Sequence, residues 1–131
     1  MRLDHVTIVS SECERLLAFF TGIAGMKDGA RPAFGFPGHW LYLDERPVLH
    51  LIERAAEPIS IRSASQQAAT RIDHLALRIG SADAWRALLQ GLRRSGTPYQ
   101  LSDMRALKEQ QLFVQLAPEL TVEFVADTRY L

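Results

Sequence analysis

Three histidines and one glutamate, His5, His50, His74 and Glu123, sit in short stretches whose apolar residues alternate as in β-strands. Imidazoles and carboxylates are the side chains that hold divalent transition metals and that exchange protons near neutral pH. His50 follows His5 by 45 residues and Glu123 follows His74 by 49, so each half of the chain offers one such group early and one late. A single histidine on a strand is more often a hydrogen-bonded core or surface residue than a ligand. Here, three of the chain's four histidines share two repeated positions with a carboxylate, and a buried Glu123 without a partner would be costly. The pattern points to one metal-sized cluster.

The elements that must position these groups follow from an internal repeat. Arg2-Leu3-Asp4-His5-Val6-Thr7-Ile8 and Arg71-Ile72-Asp73-His74-Leu75-Ala76-Leu77 match at a constant offset, with Arg, Asp and His identical. Each stretch runs into a polar stop, Ser10-Ser11 or Gly80-Ser81, which predicts a strand leading directly into a helix N-cap, with Ser11 and Glu14 at capping-box spacing. The first helix carries Leu16, Phe19, Phe20 and Ile23 as its apolar stripe and the second Trp85, Leu88, Leu89 and Leu92; Gly25 and Gly96 close them. Strands are expected near 40–43 and 48–52, with a turn at Asp44-Glu45-Arg46-Pro47, and near 111–116 and 121–125, with Pro118 in the turn. A further strand is expected before each pair, near 27–30 and 99–102. The result is an α+β domain of two tandem β-α-β-β-β modules, about 1–54 and 71–131, joined by a linker over about 55–70.

Side-chain alternation assigns faces. Val6 and Ile8 take the helix side of the first strand, and Leu3, His5, Thr7 and Val9 the other. Leu75, Leu77 and Ile79 take the helix side of the matching strand, leaving His74, Ala76 and Arg78 opposite. By the same count His50 and Glu123 point away from Leu49, Leu51, Val122 and Phe124. His5 thus corresponds to His74, and His50 to Glu123.

Bulk properties exclude several classes. At 131 residues one domain suffices, and 47% hydrophobic with 23% charged residues is ordinary globular composition. Fifteen basic residues balance fifteen acidic ones, so no general field attracts nucleic acid or an anionic membrane. The sequence predicts no signal peptide, no membrane span and a cytoplasmic location. The single cysteine, Cys13, flanked by Glu12 and Glu14, reads as an incidental helix residue whose thiol pKa the carboxylates raise.

The segments Leu3-Asp4-His5-Val6, Ile72-Asp73-His74-Leu75-Ala76-Leu77 and Thr121-Val122-Glu123-Phe124 resemble the vicinal oxygen chelate superfamily, which includes glyoxalase I, extradiol dioxygenases and bleomycin resistance proteins. The resemblance implies a curved mixed-sheet half-barrel around a cavity. It also implies a divalent metal, Zn, Fe(II), Ni, Co or Mn, held by His5, His50, His74 and Glu123. Glyoxalase I usually has a glutamate where His50 stands, and the common Asp-Pro turn before the closing strand is replaced by Leu116-Ala117-Pro118-Glu119-Leu120.

The resemblance leaves two chemistries and one alternative. With four protein ligands the metal serves as a Lewis acid in an isomerase or lyase, Glu123 or His50 moving a proton as catalytic residue. With His50 free, His5, His74 and Glu123 form a two-histidine, one-carboxylate set suited to oxygen activation and ring cleavage. The alternative is a metal-free protein that sequesters a small molecule, as bleomycin-binding members do. In each case Thr7, Trp40, Tyr42, Arg78, Phe113 and Gln115 are expected to line the cavity, the aromatics stacking on a planar ligand or packing the wall. Arg78 would bind a substrate carboxylate or pair with an acidic residue such as Glu123. The expected partner is a small-molecule substrate, with no nucleic acid and no membrane. Spacing leaves open whether the modules pair within one chain or across a homodimer, and a homodimer is the expectation.

Overall fold

The computed structural model describes residues 1–54, 70–117 and 120–131, and its elements follow the repeat. They are β1 (Arg2–Ser10), α1 (Cys13–Gly22), β2 (Lys27–Gly29), β3 (Gly38–Leu43), β4 (Arg46–Glu53), β5 (Arg71–Arg78), α2 (Ala82–Ser95), β6 (Gln100–Met104), β7 (Glu109–Ala117) and β8 (Leu120–Asp127). Short 3-10 turns at Arg105–Leu107 and Thr128–Tyr130 are additions that the sequence pattern did not announce. Almost all of the expected linker, and Pro118 in its turn, lie outside the described residues. Among the described residues no helix is long and apolar enough to cross a membrane.

The chain divides into two compact units, His5–Asp73 and, together with Met1–Asp4, His74–Leu131. In the first unit β2 pairs antiparallel with β3, β3 antiparallel with β4, and β4 parallel with β1. The second repeats the scheme: β6 with β7 and β7 with β8 antiparallel, β8 with β5 parallel. The parallel pair follows from the helical crossover after the first strand of each module, the hairpins from short connections. The turn joining β3 to β4 has left-handed backbone at both Asp44 (φ 48°) and Glu45 (φ 62°), the two-residue geometry whose twist suits a hairpin. Arg46 and Pro47, expected in that turn, already belong to β4.

Each helix covers one face of its own sheet. Cys13, Met26, Leu41, Leu49 and Leu51 form the first core, with Val6, Ile8, Leu16, Leu17 and Phe20 packed against it. Ile79, Trp85, Leu112, Val114 and Ala126 form the second, with Leu88, Leu89, Leu92 and Phe124 around them. The expected stripe on α1 is corrected at two positions. Phe19 and Ile23 are exposed, and Leu17 takes their place at the sheet.

The two helix starts also differ. Ser81 caps α2 by accepting from the Ala84 N–H, and Gly96 ends it in left-handed backbone (φ 64°), as expected. The first helix instead begins after Glu12, with no side-chain cap; Ser10 accepts the Glu12 N–H one step upstream of the expected Ser11. Gly25 has left-handed backbone (φ 73°) but follows the end of α1, where Ile23 donates to the Phe19 carbonyl.

Candidate active site

In the first unit the parallel register sets His50 opposite Thr7 of β1, and the antiparallel register sets it opposite Trp40 of β3. Partners across a ladder share a face, so Thr7, His50 and Trp40 lie on the side away from α1. His5, two residues before Thr7, shares that side. His5 and Thr7 are buried.

The rings on this face form a stack. The imidazoles of His5 and His50 lie 3.8 Å apart between centroids with planes 19° apart, and Trp40 covers the other side of His50 at 4.1 Å and 7°. A metal bound by imidazole lies near the plane of the ring, about 2.0–2.1 Å from nitrogen for zinc. Two nearly parallel planes at this spacing do not meet within that distance, so in this arrangement His5 and His50 cannot direct nitrogens at one ion. The aromatic run continues through Phe34, 6.1 Å from Trp40, to Phe36, stacked on Phe34 at 5.1 Å. Arg31 lies over both phenylalanines and donates to the Phe36 carbonyl.

In the second unit His74 Nε2 lies 3.0 Å from Glu123 Oε2, and the Glu123 side chain is only 2% exposed. Register puts Glu123 opposite Ala76 on one side and Phe113 on the other. The rings of Phe113 and His74 stand perpendicular, 6.3 Å apart between centroids. A buried carboxylate paired with imidazole is a local arrangement that holds ring orientation and can accept a metal or a proton. The strand count brought these two residues together correctly.

Arg78 lies two residues beyond Ala76 on β5, and its partners are Asp4 and Glu109. Its Nε donates to Asp4, and one terminal nitrogen lies 2.7 Å from Glu109 Oε1. The structural pairing anticipated for Arg78 is present, with these two carboxylates named in place of Glu123. Burial works against the guanidinium charge, but the bonds to Asp4 and Glu109 more than offset it and raise the Arg78 pKa. The Glu109 pKa is also raised, first by burial, with Asp4 and Glu123 adding repulsion and Arg78 opposing.

The remaining expected residues are more peripheral. Gln115 stands opposite Thr121 and is exposed. The Tyr42 ring closes over Gly29, where an added Cβ would fall 2.7 Å from it, and its hydroxyl donates to the Ala30 carbonyl. Tyr42 thus belongs to an open cavity of 650 Å³ at the β2 edge, with Lys27, Asp28, Asp44 and Glu45. His39, the fourth histidine, pairs with Asp28 at 2.9 Å.

Sequence reasoning missed Glu109, Asp4 and Phe34. Counting back in steps of two from Phe113 reaches Gln111 and Glu109, a signal available in the alternation. The Phe34-Gly35-Phe36 spacing was visible but carried no indication of stacking on Trp40. Cys13 is buried and donates to the Ser10 carbonyl; burial first and Glu53 second raise its pKa, where Glu12 and Glu14 had been expected to.

No protein-family model and no curated protein sequence matches the chain. Solved structures do. The chain is 13% identical to the 2,3-dioxygenase LapB from Pseudomonas sp. KL28, with a TM-score of 0.72 over 96% of this chain and 40% of that one. It is 19% identical to the Mn(II)-bound glyoxalase from Novosphingobium aromaticivorans, with a TM-score of 0.62 over 96% and 38%. A hypothetical protein of Bacillus halodurans C-125 is 22% identical, with a TM-score of 0.62 over 95% and 93%. The chain spans about a third to two fifths of the length of the dioxygenases it matches. Two β-α-β-β-β units, each with its parallel first and last strands, and these likenesses over nearly all of the chain show that it shares the fold of these dioxygenases and of the glyoxalase, the fold that the sequence resemblance implied.

Proposed function

We propose that the protein is a divalent-metal-dependent enzyme acting on a small substrate with vicinal oxygens, and that its chemistry is ring cleavage of a catechol. His5, His74 and Glu123 would hold the ion, with His50 beside it as an acid-base group. The observation that carries this reading is the face-to-face placement of His5 and His50, 3.8 Å apart and 19° from parallel. It supports a ligand set without His50, of two histidines and one carboxylate, the set associated with iron(II) and oxygen. The likeness to 2,3-dioxygenases supports the same choice.

The donors suit such an ion. Two imidazoles and a carboxylate are intermediate in softness, and the Glu123 carboxylate already meets the His74 nitrogen at 3.0 Å. A bound iron(II) would supply redox chemistry with dioxygen and open coordination positions for the two substrate oxygens. The protein's own groups do the rest. Glu123 and the perpendicular Phe113 ring hold the plane of His74. Trp40 and His5 hold His50 between them, so its ring edge, the part that takes or returns a proton, has a set direction. Trp40 and Phe34 add an aromatic surface on which a planar substrate ring can rest.

Anaerobic loading with iron(II), followed by a panel of catechols in air, tests the reading. A ring-opened product with one dioxygen consumed per substrate is expected. An ion that binds while every catechol stays intact, with proton exchange at a carbon next to a carbonyl in ketone substrates, would move the assignment to the isomerase or lyase class. Absence of any bindable divalent metal would leave the sequestering reading, for which the Trp40, Phe34 and Phe36 rings are the supporting feature.

A further inference from the structure

On the second unit's face away from α2, ladder partners run in rows. His74 stands opposite Thr121, Ala76 opposite Glu123 and Arg78 opposite Val125. Each step of two residues along a strand covers about 7 Å, so Arg78 is the next side chain on β5 beyond the row that holds Glu123. Among the described ladder positions on this face it is the only lysine or arginine. An arginine there would ordinarily be the anchor for a substrate carboxylate, because its planar fork accepts one in bidentate fashion.

The anchor is already taken. Nε is held by Asp4 and a terminal nitrogen by Glu109 at 2.7 Å, and the Arg78, Asp4 and Glu109 side chains are 26%, 15% and 16% exposed. Two carboxylates face one guanidinium, which leaves the trio one negative charge in excess when both are ionised. Repulsion from Asp4 reaches Glu109 and helps to raise its pKa, in keeping with two carboxylates facing one guanidinium. A carboxylate carried by a substrate would meet like charge here and find the one strong donor engaged.

We propose that Arg78, Asp4 and Glu109 form a charge filter that admits uncharged catechols and rejects carboxylated ones, with Glu109 as its specificity-determining residue. The proposal rests on the ring-cleavage reading, and it names the substrate class.

The test compares three ligands on the iron(II)-loaded chain: catechol, 3,4-dihydroxybenzoate and the methyl ester of 3,4-dihydroxybenzoate. The ester matches the acid in its ring and differs from it in charge. Dissociation constants under nitrogen and kcat/KM in air are read for each. The ester is expected to be favoured over the acid by about a hundredfold, the size of a like-charge mismatch. In Glu109→Gln that ratio should narrow by about tenfold or more. Acid and ester handled equally by the wild type would overturn the filter without touching ring cleavage. An unchanged ratio in a folded Glu109→Gln would remove Glu109 from the role. Binding of none of the three by the loaded protein would sink the ring-cleavage reading itself, and the filter with it. The wild-type comparison decides even if the variant does not fold.

Discussion

The imidazole of His50 lies parallel to that of His5 within 19°, at 3.8 Å. The two late positions of the repeat therefore differ in kind: Glu123 meets its early partner His74 edge to edge at 3.0 Å, whereas His50 meets His5 face to face. Removing a ligand and removing a neighbour of a ligand have different costs. His5→Ala should weaken binding of one divalent ion per chain by more than about a hundredfold. His50→Ala should weaken it by about tenfold to a hundredfold at most, the range for groups that orient a ligand. Calorimetric titration with metal, checked by elemental analysis, reads both. Equal losses would restore His50 to the ligand set.

Glycine positions offer a stability test that is independent of function. A Cβ on Gly38 would lie 2.3 Å from the Leu51 carbonyl oxygen across the β3–β4 ladder, and that atom is backbone. Gly38→Ala is expected to destabilise the protein by about 2 kcal/mol, within the range for overpacking. Gly91, inside α2, has open space around it. There Ala should stabilise by about 0.5–1 kcal/mol through helix propensity. Urea unfolding of both variants measures the two signs.

Cys13 opens α1, a place that normally favours a reactive thiolate. Burial and Glu53 instead raise its pKa. At pH 8 its alkylation by iodoacetamide should be at least about tenfold slower than that of an exposed thiol, and should become fast in denaturing urea. Fast labelling of the native protein would show that burial does not govern this thiol.

Much of this architecture was legible because the repeat carries it locally. Paired Arg-x-Asp-His stretches place the first strand of each module, and alternation puts His5, His50, His74 and Glu123 on the faces away from the helices. The cap of α2 follows from Ser81 and Gly96, residues adjacent to the helix they bound. Alternation says which side a residue takes but nothing about ring orientation, so the parallel stack of His5, His50 and Trp40 was not legible. The partners of Arg78 were hidden for a different reason. Asp4 is 74 residues away in sequence, and choosing it over Glu123 depends on where strands stop and side chains bend. At α1, Ser10 accepts the Glu12 N–H and the helix begins after Glu12 with no side-chain cap, so the Ser11–Glu14 spacing did not become a capping box.

Glu109 makes stability depend on pH in a direction that can be checked. Its folded pKa is raised, chiefly by burial, so the ionised form is held less comfortably in the folded chain than in the unfolded one. Below the ordinary glutamate value, about 4.3, the group is protonated in both states and adds no pH dependence, and the wild type is there at its most stable with respect to this group. As pH rises through that value the unfolded chain releases its proton first, and the wild type loses stability until the folded group has ionised too. Glu109→Gln has no such proton to release. It also loses the ion pair with Arg78, whose pull on Glu109 is already counted in the net raised pKa, so the sign of the trend stands. The stability of the variant relative to the wild type should therefore increase with pH from about 4 upward and then level off, by at most about 1.4 kcal/mol per unit of raised pKa. Chemical denaturation of both proteins across a pH series measures the difference. A difference that stays flat, or that falls as pH rises, would mean that Arg78 outweighs burial at Glu109.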